Sequence, residues 1–315
     1  MFSIRIKMVK KIKIFKNFEI SKIYKNSLIL IGNFDGLHSG HQKLFKQAQK
    51  YKKKSKLKIG VVTFDPMPKM FFNKKIKNFK ISNFNQKVSY LQKFGVDFLV
   101  NKNFNKKFSK IKPHVFVKKI IFQKLNAKYI FVSNNFRFGY KRGGDIKLLK
   151  VYQSICNYKL INPSPLKKDK KIISSSYIRK LLENGNLNKA NKYLTRNWTV
   201  EGIVKKGRMM GKKIGFPTCN IDIGNYVIAK PGVYAVKTSI NKKTFKGIAN
   251  LGYRPTFKQK KILLEVNLFN FSGNLYNKKL SVEFLRFIRG EKKFNGIAQL
   301  RKQIKRDILK AKNTK

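Results

Sequence analysis

The chain holds three histidines, and two of them, His38 and His41, stand three residues apart in the stretch "LIGNFDGLHSGHQ" (29–41). A pair of imidazoles can donate hydrogen bonds to phosphate oxygens as negative charge builds up in a transition state. The setting suits that task. Ser39, followed three positions on by Gln42, reads as a capping box and predicts a helix opening here. Helix N-termini present unpaired N–H groups and a positive dipole, a ready phosphate site. Gly32, Gly36 and Gly40 let the backbone approach a ligand closely. A glycine-rich turn with two idle histidines is the plainer reading; the strand before it and the helical spacing after it weigh against that.

A second candidate is Glu265 in "LLEVNLF". The chain has only 13 acids, and a carboxylate set amid an apolar strand needs a reason. General-base work is one; a solvent-facing place on an alternating strand is the other. "GIVKKGR" (202–208) imitates the first part of a phosphate-binding P-loop but lacks the following Lys-Ser/Thr and reads as a barrel turn or flap.

The elements that must position these groups follow from hydrophobic pattern. Strand-like runs at 27–34, 58–64, 96–100, 128–134 and 158–162 alternate with helical spacing at 40–53, 85–94, 114–125 and 145–156. Near-continuous apolar strands separated by helices predict a Rossmann-like parallel sheet covered on both faces, with ligands beyond the strands' carboxyl ends. The stretch 162–171 reads as a loop, followed by a short helix near 176–184. From Trp198 onward short strands separated by Gly, Pro and Asn turns predict an antiparallel β-barrel, and 294–311 a closing helix. The fold class is thus α/β plus β, with domains at 1–184 and 185–315.

Composition bounds the rest. No apolar run approaches the roughly 20 residues of a membrane span, and Cys156 and Cys219 give neither a disulfide framework nor a zinc spacing. A cytoplasmic protein with no membrane partner is expected. Lys and Arg total 74, for a net charge of +61. That attracts any polyanion non-specifically, yet the lysines are spread from end to end and accompany abundant Asn, Ile and Phe, as an A/T-rich genome would produce.

"GNFDGLHSGHQ" resembles the nucleotidylyltransferase signature of the bifunctional bacterial riboflavin kinase/FAD synthetase family. The similarity runs in order through "VVTFDPMP", "NNFRFGYKRGGD", "ISSSYIRKLLENG", "GKKIGFPTCN", "GIANLGYRPTF", "LLEVNLFNFSGNLY" and "FLRFIRGEKKF". It implies that the first domain joins FMN to the AMP part of ATP and the second phosphorylates riboflavin. It implies that His38 and His41 contact the ATP phosphates together with Gly32, Phe34 and Gly36. Ser175, Ser176 and Arg179 would supply a second phosphate-binding helix end. Asn135 and Asp65 would face the flavin, while for Phe136 and Phe138 core packing is the stronger expectation. In the second domain the resemblance implies Gly211 and Lys212 at the nucleotide, Thr218 and Asn220 as Mg²⁺ and phosphate ligands, and Glu265 as base for the flavin hydroxyl. Mg²⁺ is the cofactor expected, ATP the co-substrate, and riboflavin and FMN the partners. Departures from the family pattern fall at Ser133, Asn135, Met67, Ser176, Lys212 and Asn267.

Two other readings stay open on sequence alone. A nucleotidylyltransferase acting on another phosphate acceptor would need the histidine motif but has no use for the "GFPTCN" to "LLEVNLF" half. A basic nucleic-acid binder with decayed catalytic sites would use the charge and no flavin. The sequence gives no oligomeric state.

Overall fold

The structure, a computed structural model, describes residues 11–207, 209–255 and 260–314. The chain divides into two compact units, one formed by 1–77 with 84–173, the other by 78–83 with 174–315.

In the first unit the described elements run β1 (Lys13–Phe15), β2 (Ser27–Ile31), α1 (Ser39–Ser55), β3 (Ile59–Asp65), α2 (Pro68–Phe72), α3 (Phe84–Lys93), β4 (Phe98–Asn103), α4 (Lys106–Ser109), α5 (Pro113–Val115), β5 (Ala127–Phe131), α6 (Ile146–Ile155) and β6 (Lys159–Ile161). A π-helical stretch, Phe116–Lys124, continues α5. The six strands form one sheet in the order β1-β4-β3-β2-β5-β6, every pairing parallel. β2 is buried along its whole length, because its alternate residues feed separate cores. Ile29 and Ile31 join Val117, Ile121 and Val132 on one face, while Leu28 and Leu30 join Leu44, Phe45 and Ala48 on the other. That double burial explains the unbroken apolar run. The segment expected as plain loop contains a small hairpin, β7 (Lys167–Lys168) with β8 (Lys171–Ile172).

The second unit opens with α7 (Ser175–Glu183) and α8 (Leu187–Leu194). It continues through β9 (Trp198–Lys205), α9 (Met210–Lys213), β10 (Cys219–Asp222), β11 (Gly232–Ile240), β12 (Lys243–Pro255), β13 (Lys260–Leu268), β14 (Lys279–Gly290) and α10 (Ile297–Lys312). The strands close into an antiparallel barrel ordered β10-β13-β12-β11-β14-β9, which leaves no free sheet edge. α10 lays Ala311 and Ile308 on the outer face of β11 and β12, against Val233, Ala235 and Ile248. It is pinned there by Arg289, whose Nε donates to buried Asp307 at 2.8 Å.

Residues 78–83, taken from the middle of the first stretch of chain, are part of this second unit. The amides of Phe79 and Lys80 donate to the Asn225 carbonyl, Val227 donates back to Lys80, and the indole of buried Trp198 donates to the Ile81 carbonyl at 3.0 Å. The position 184/185 falls in the turn between α7 and α8, two helices whose buried residues (Ile178, Leu181 and Leu182; Leu187, Ala190 and Leu194) belong to the second unit.

Candidate active sites

The paired histidines stand at the carboxyl end of β2, where the sheet delivers the chain into α1. Helix α1 begins one residue earlier than a Ser39 cap requires. Its first hydrogen bond runs from the Gln42 amide to the His38 carbonyl at 3.0 Å, so His38 is the N-cap residue and Ser39 lies inside the helix. The capping box is therefore absent. The Gln42 side chain instead donates to the Leu37 carbonyl at 2.9 Å, closing the turn from the other side. The imidazoles of His38 and His41 stack, with centroids 3.8 Å apart and planes 24° from parallel. His38 is buried and His41 half-buried with its ring edge-on to Phe34.

Holding the rings this way requires an unusual turn. Phe34 and Leu37 have φ of 46° and 40°, and Gly36 a φ of 75°. Left-handed backbone at a bulky residue costs of order 1–3 kcal/mol and persists only where the surroundings enforce it. Phe34 is enforced by burial against Phe45, so its ring is core and only its backbone is available to a nucleotide. A Cβ on Gly40 would lie 2.8 Å from the Ile173 carbonyl and 3.1 Å from the His38 ring. Gly32 likewise yields its space to the Phe34 ring. The room a Cβ would need at Gly32 and Gly40 is held by the protein's own atoms. Two buried acceptors here, Asn33 Oδ1 and Ser39 Oγ, have no hydrogen-bond partner among the described residues. Asn33 was not singled out from sequence; its place directly after the strand and Gly32 was the available signal.

The expected flavin-side residues lie at the same end of the sheet. Asp65 ends β3 and is half-buried, its carbonyl accepting from the Phe104 amide. Asn135 is exposed and its Oδ1 accepts from Ser133 Oγ at 2.9 Å. Phe136 and Phe138 stack on each other at 5.4 Å, and Phe138 packs on Phe116, so both belong to the core.

Ser175, Ser176 and Arg179 fall in the second unit. Ser174 caps α7, its Oγ accepting from the Tyr177 amide at 3.2 Å, and leaves Ser175 half-buried and Ser176 exposed in the first turn. Arg179 is not at the helix opening but a turn further in and buried. Its guanidinium lies 3.6 Å from the Phe79 ring centroid and its Nε donates to the Phe79 carbonyl at 2.7 Å. It thus anchors the 78–83 excursion. Ser174→Ala is expected to destabilise the second unit by about 1 kcal/mol, read as a lower urea midpoint at unchanged slope.

On the barrel, register assembles the remaining candidates. Asn220 of β10 lies opposite Glu265 of β13, and Asn250 of β12 lies opposite Glu265 on its other side. Glu265 is half-buried while its neighbours Leu264 and Val266 point into the barrel core. It therefore stands on the outer face between two amides. Asn220 is buried, and its Oδ1 has no hydrogen-bond partner among the described residues. A Cβ on Gly207 would meet the Asn220 amide nitrogen at 2.0 Å, so the "GIVKKGR" turn gives way to Asn220; Arg208 at its end lies outside the described residues, as do Thr256 and Phe257 of "GIANLGYRPTF". A Cβ on Gly211 would lie 2.4 Å from the Phe216 carbonyl and 3.2 Å from Thr218 Oγ1, which folds 211–218 back on itself. Thr218 is half-buried and Lys212 exposed. Asn267, on the same face as Glu265, donates to the Pro217 carbonyl at 2.7 Å and fixes the turn that carries Thr218.

Two family models match the chain in series, FAD synthetase over residues 20–177 and riboflavin kinase over residues 194–315. Curated relatives named bifunctional riboflavin kinase/FMN adenylyltransferase match across both. The protein from Buchnera aphidicola subsp. Schizaphis graminum is 40% identical over 92% of this chain and 94% of its own. That from Bacillus subtilis is 34% identical over 90% and 91%. The chain belongs to the bifunctional riboflavin kinase/FMN adenylyltransferase family. It is an ATP-dependent enzyme that phosphorylates riboflavin to FMN and adenylylates FMN to FAD. A crystal structure from Streptococcus pneumoniae, described as a macrolide-efflux protein, is 29% identical, with a TM-score of 0.86 over 97% of this chain and 100% of that one. Among the described residues no helix is long and apolar enough to cross a membrane.

The kinase half of this family member also carries a cavity that sequence reasoning did not find. It holds about 400 Å³ and is walled by Val204, Pro217, Cys219, Leu268, Phe271 and Tyr276, with Thr218 at its edge. Its walls come from three strands and the 271–276 turn, so no local pattern announces it. Burial pushes the Cys219 thiol up to about 11, and its Sγ donates to the Val266 carbonyl at 3.3 Å, which makes it a wall group and not a nucleophile at neutral pH.

Proposed function

We propose that His38 and His41 hold the phosphates of ATP during adenylyl transfer, and that Glu265, Thr218 and Asn220 serve the kinase reaction at the barrel. In the first reaction an FMN phosphate oxygen attacks the α-phosphorus, the bond to the bridging oxygen of the leaving pyrophosphate breaks, and no covalent enzyme intermediate is needed. Catalysis is then positioning plus charge stabilisation. The stacked imidazoles present N–H groups side by side at the opening of α1, where the helix dipole adds to them. Asn33 and Ser39 offer further polar atoms at the same turn. Asp65 and Asn135, at the sheet's carboxyl end, are assigned to orienting FMN.

In the kinase reaction the 5′-hydroxyl of riboflavin attacks the γ-phosphorus and ADP leaves. Glu265 takes the hydroxyl proton. The observation that carries this assignment is the register that sets Glu265 between Asn220 and Asn250. The walled cavity beside Thr218 is apolar and of a size for a nucleobase, so it is assigned to the adenine of ATP.

A divalent cation fits the residues present. Thr218 and Asn220 supply neutral oxygen donors, and the buried Asn220 Oδ1 is an acceptor in want of a partner. No cluster of three His, Cys, Asp or Glu capable of caging a metal exists among the described residues. That suits Mg²⁺, which prefers oxygen and takes few protein ligands beside phosphates and water. Bound there, it would neutralise charge on the ATP phosphates. The same reading places the enzyme in the cytoplasm, with ATP, riboflavin and FMN as its partners. Asn220→Ala is expected to raise the Mg²⁺ concentration for half-maximal FMN formation by about tenfold or more, while FAD formation from supplied FMN keeps its wild-type Mg²⁺ dependence. An unchanged Mg²⁺ curve for the kinase would remove Asn220 from the site.

A further inference from the structure

Lys87 is one of the few buried cations in a chain whose lysines are otherwise overwhelmingly on the surface. It is 8% exposed, on α3, in the first unit. A buried ammonium is costly unless something nearby makes use of it. Its Nζ donates to Thr63 Oγ1 at 3.4 Å, and that hydroxyl, itself fully buried on β3, donates to the Asn33 carbonyl at 3.4 Å. Asn33 opens the turn that climbs through left-handed Phe34, Gly36 and Leu37 to His38. α3 packs against that turn, which also carries the buried carboxylate of Asp35. Strained backbone of this kind needs an outside restraint, and the relay from Lys87 through Thr63 reaches its first peptide.

We infer that Lys87 is a positioning residue for adenylyl transfer: acting through Thr63, it holds the Asn33–Leu37 turn in the strained form that brings His38 to the ATP phosphates. This rests on the assignment of His38 to those phosphates. Lys87 itself touches no substrate. It stands on α3, which packs against the turn, and its charge adds to the positive field there.

The test uses the full-length enzyme and measures both activities on each preparation, so FMN formation reports whether the protein is folded. Lys87→Met is expected to lower kcat for FAD formation from FMN by about tenfold with the KM for ATP within about twofold, the pattern of an interaction realised in the transition state. Lys87→Arg, which keeps charge and donor, is expected to recover most of the loss. Thr63→Val, which keeps the shape and removes the relay, is expected to lower the same kcat with the kinase rate unchanged, and it serves if Lys87→Met does not fold. Wild-type FAD formation in Lys87→Met or Thr63→Val, a change confined to KM, or a fall in both activities that Thr63→Val shares with Lys87→Met overturns the inference. His38→Ala separates the two layers. If it abolishes FAD formation while Lys87→Met does not, only the role of Lys87 falls; if His38→Ala is itself active, the phosphate assignment fails first.

Discussion

Alanine at both 38 and 41 is expected to leave a protein that accumulates FMN from riboflavin and ATP and makes no detectable FAD. Removing a preorganised donor from a developing charge costs about 10²–10³ in kcat. Each single substitution should therefore fall in that range, and the pair should cost less than the product, because stacked rings 3.8 Å apart act as one unit. His38 is the more sensitive of the two. It is buried and caps α1 through its carbonyl, so its ring is fixed by the turn, whereas half-buried His41 has one side toward solvent. FMN formation is the internal control, since the kinase residues lie in the other unit. The check is a chromatographic count of riboflavin, FMN and FAD over time at saturating Mg·ATP. If both products vanish together the effect is on folding, and if FAD persists the histidines are not its catalysts.

The parts of the fold that were legible in the sequence share a cause. Strands β2 to β6 read as apolar runs because the sheet is covered on both faces, and Leu28, Ile29, Leu30 and Ile31 each have a core to enter. The histidine pair and Glu265 stood out because histidines and acids are scarce in a composition dominated by lysine. What stayed hidden was set by tertiary contact. β1 is a three-residue edge strand of Lys-Ile-Phe, too short to show a period. β10 reads as polar because Asn220 and Asp222 alternate with Cys219 and Ile221, and only the barrel makes those four residues a strand. α8 carries a helical spacing, Leu187, Ala190 and Leu194, beneath a run of asparagine and lysine to which the sequence reading assigned no element. Nothing local marks residues 78–83 as part of the second unit; the reasons are 100 and 117 residues away, in the guanidinium of Arg179 on Phe79 and the indole of Trp198 on Ile81. The misplaced cap has a similar origin. Ser-x-x-Gln satisfies the capping pattern at Ser39, but the left-handed turn aims the His38 carbonyl down the helix axis and the first hydrogen bond forms one residue early.

Glu265→Gln is expected to mirror the histidine result, with riboflavin left unphosphorylated and supplied FMN still converted to FAD. General-base catalysis contributes about 10²–10⁴ in rate, and glutamine keeps the volume and one acceptor oxygen of the side chain while it cannot take a proton. The geometry makes the substitution clean. Glu265 is on the outer face of β13, away from the barrel core occupied by Leu264 and Val266, so an amide there disturbs no apolar packing. Its cross-strand neighbours Asn220 and Asn250 are amides that can donate to either oxygen or accept from a new N–H. The KM for ATP should therefore hold, because the cavity beside Thr218 and the turn fixed by Asn267 are untouched, and the loss should sit in kcat. A Glu265→Gln enzyme that makes FMN at the wild-type rate would show that the proton leaves by another route and that Glu265 is only a solvated side chain on an alternating strand. Loss of FAD formation from supplied FMN in the same variant would put the effect on folding, as it would for the histidine pair.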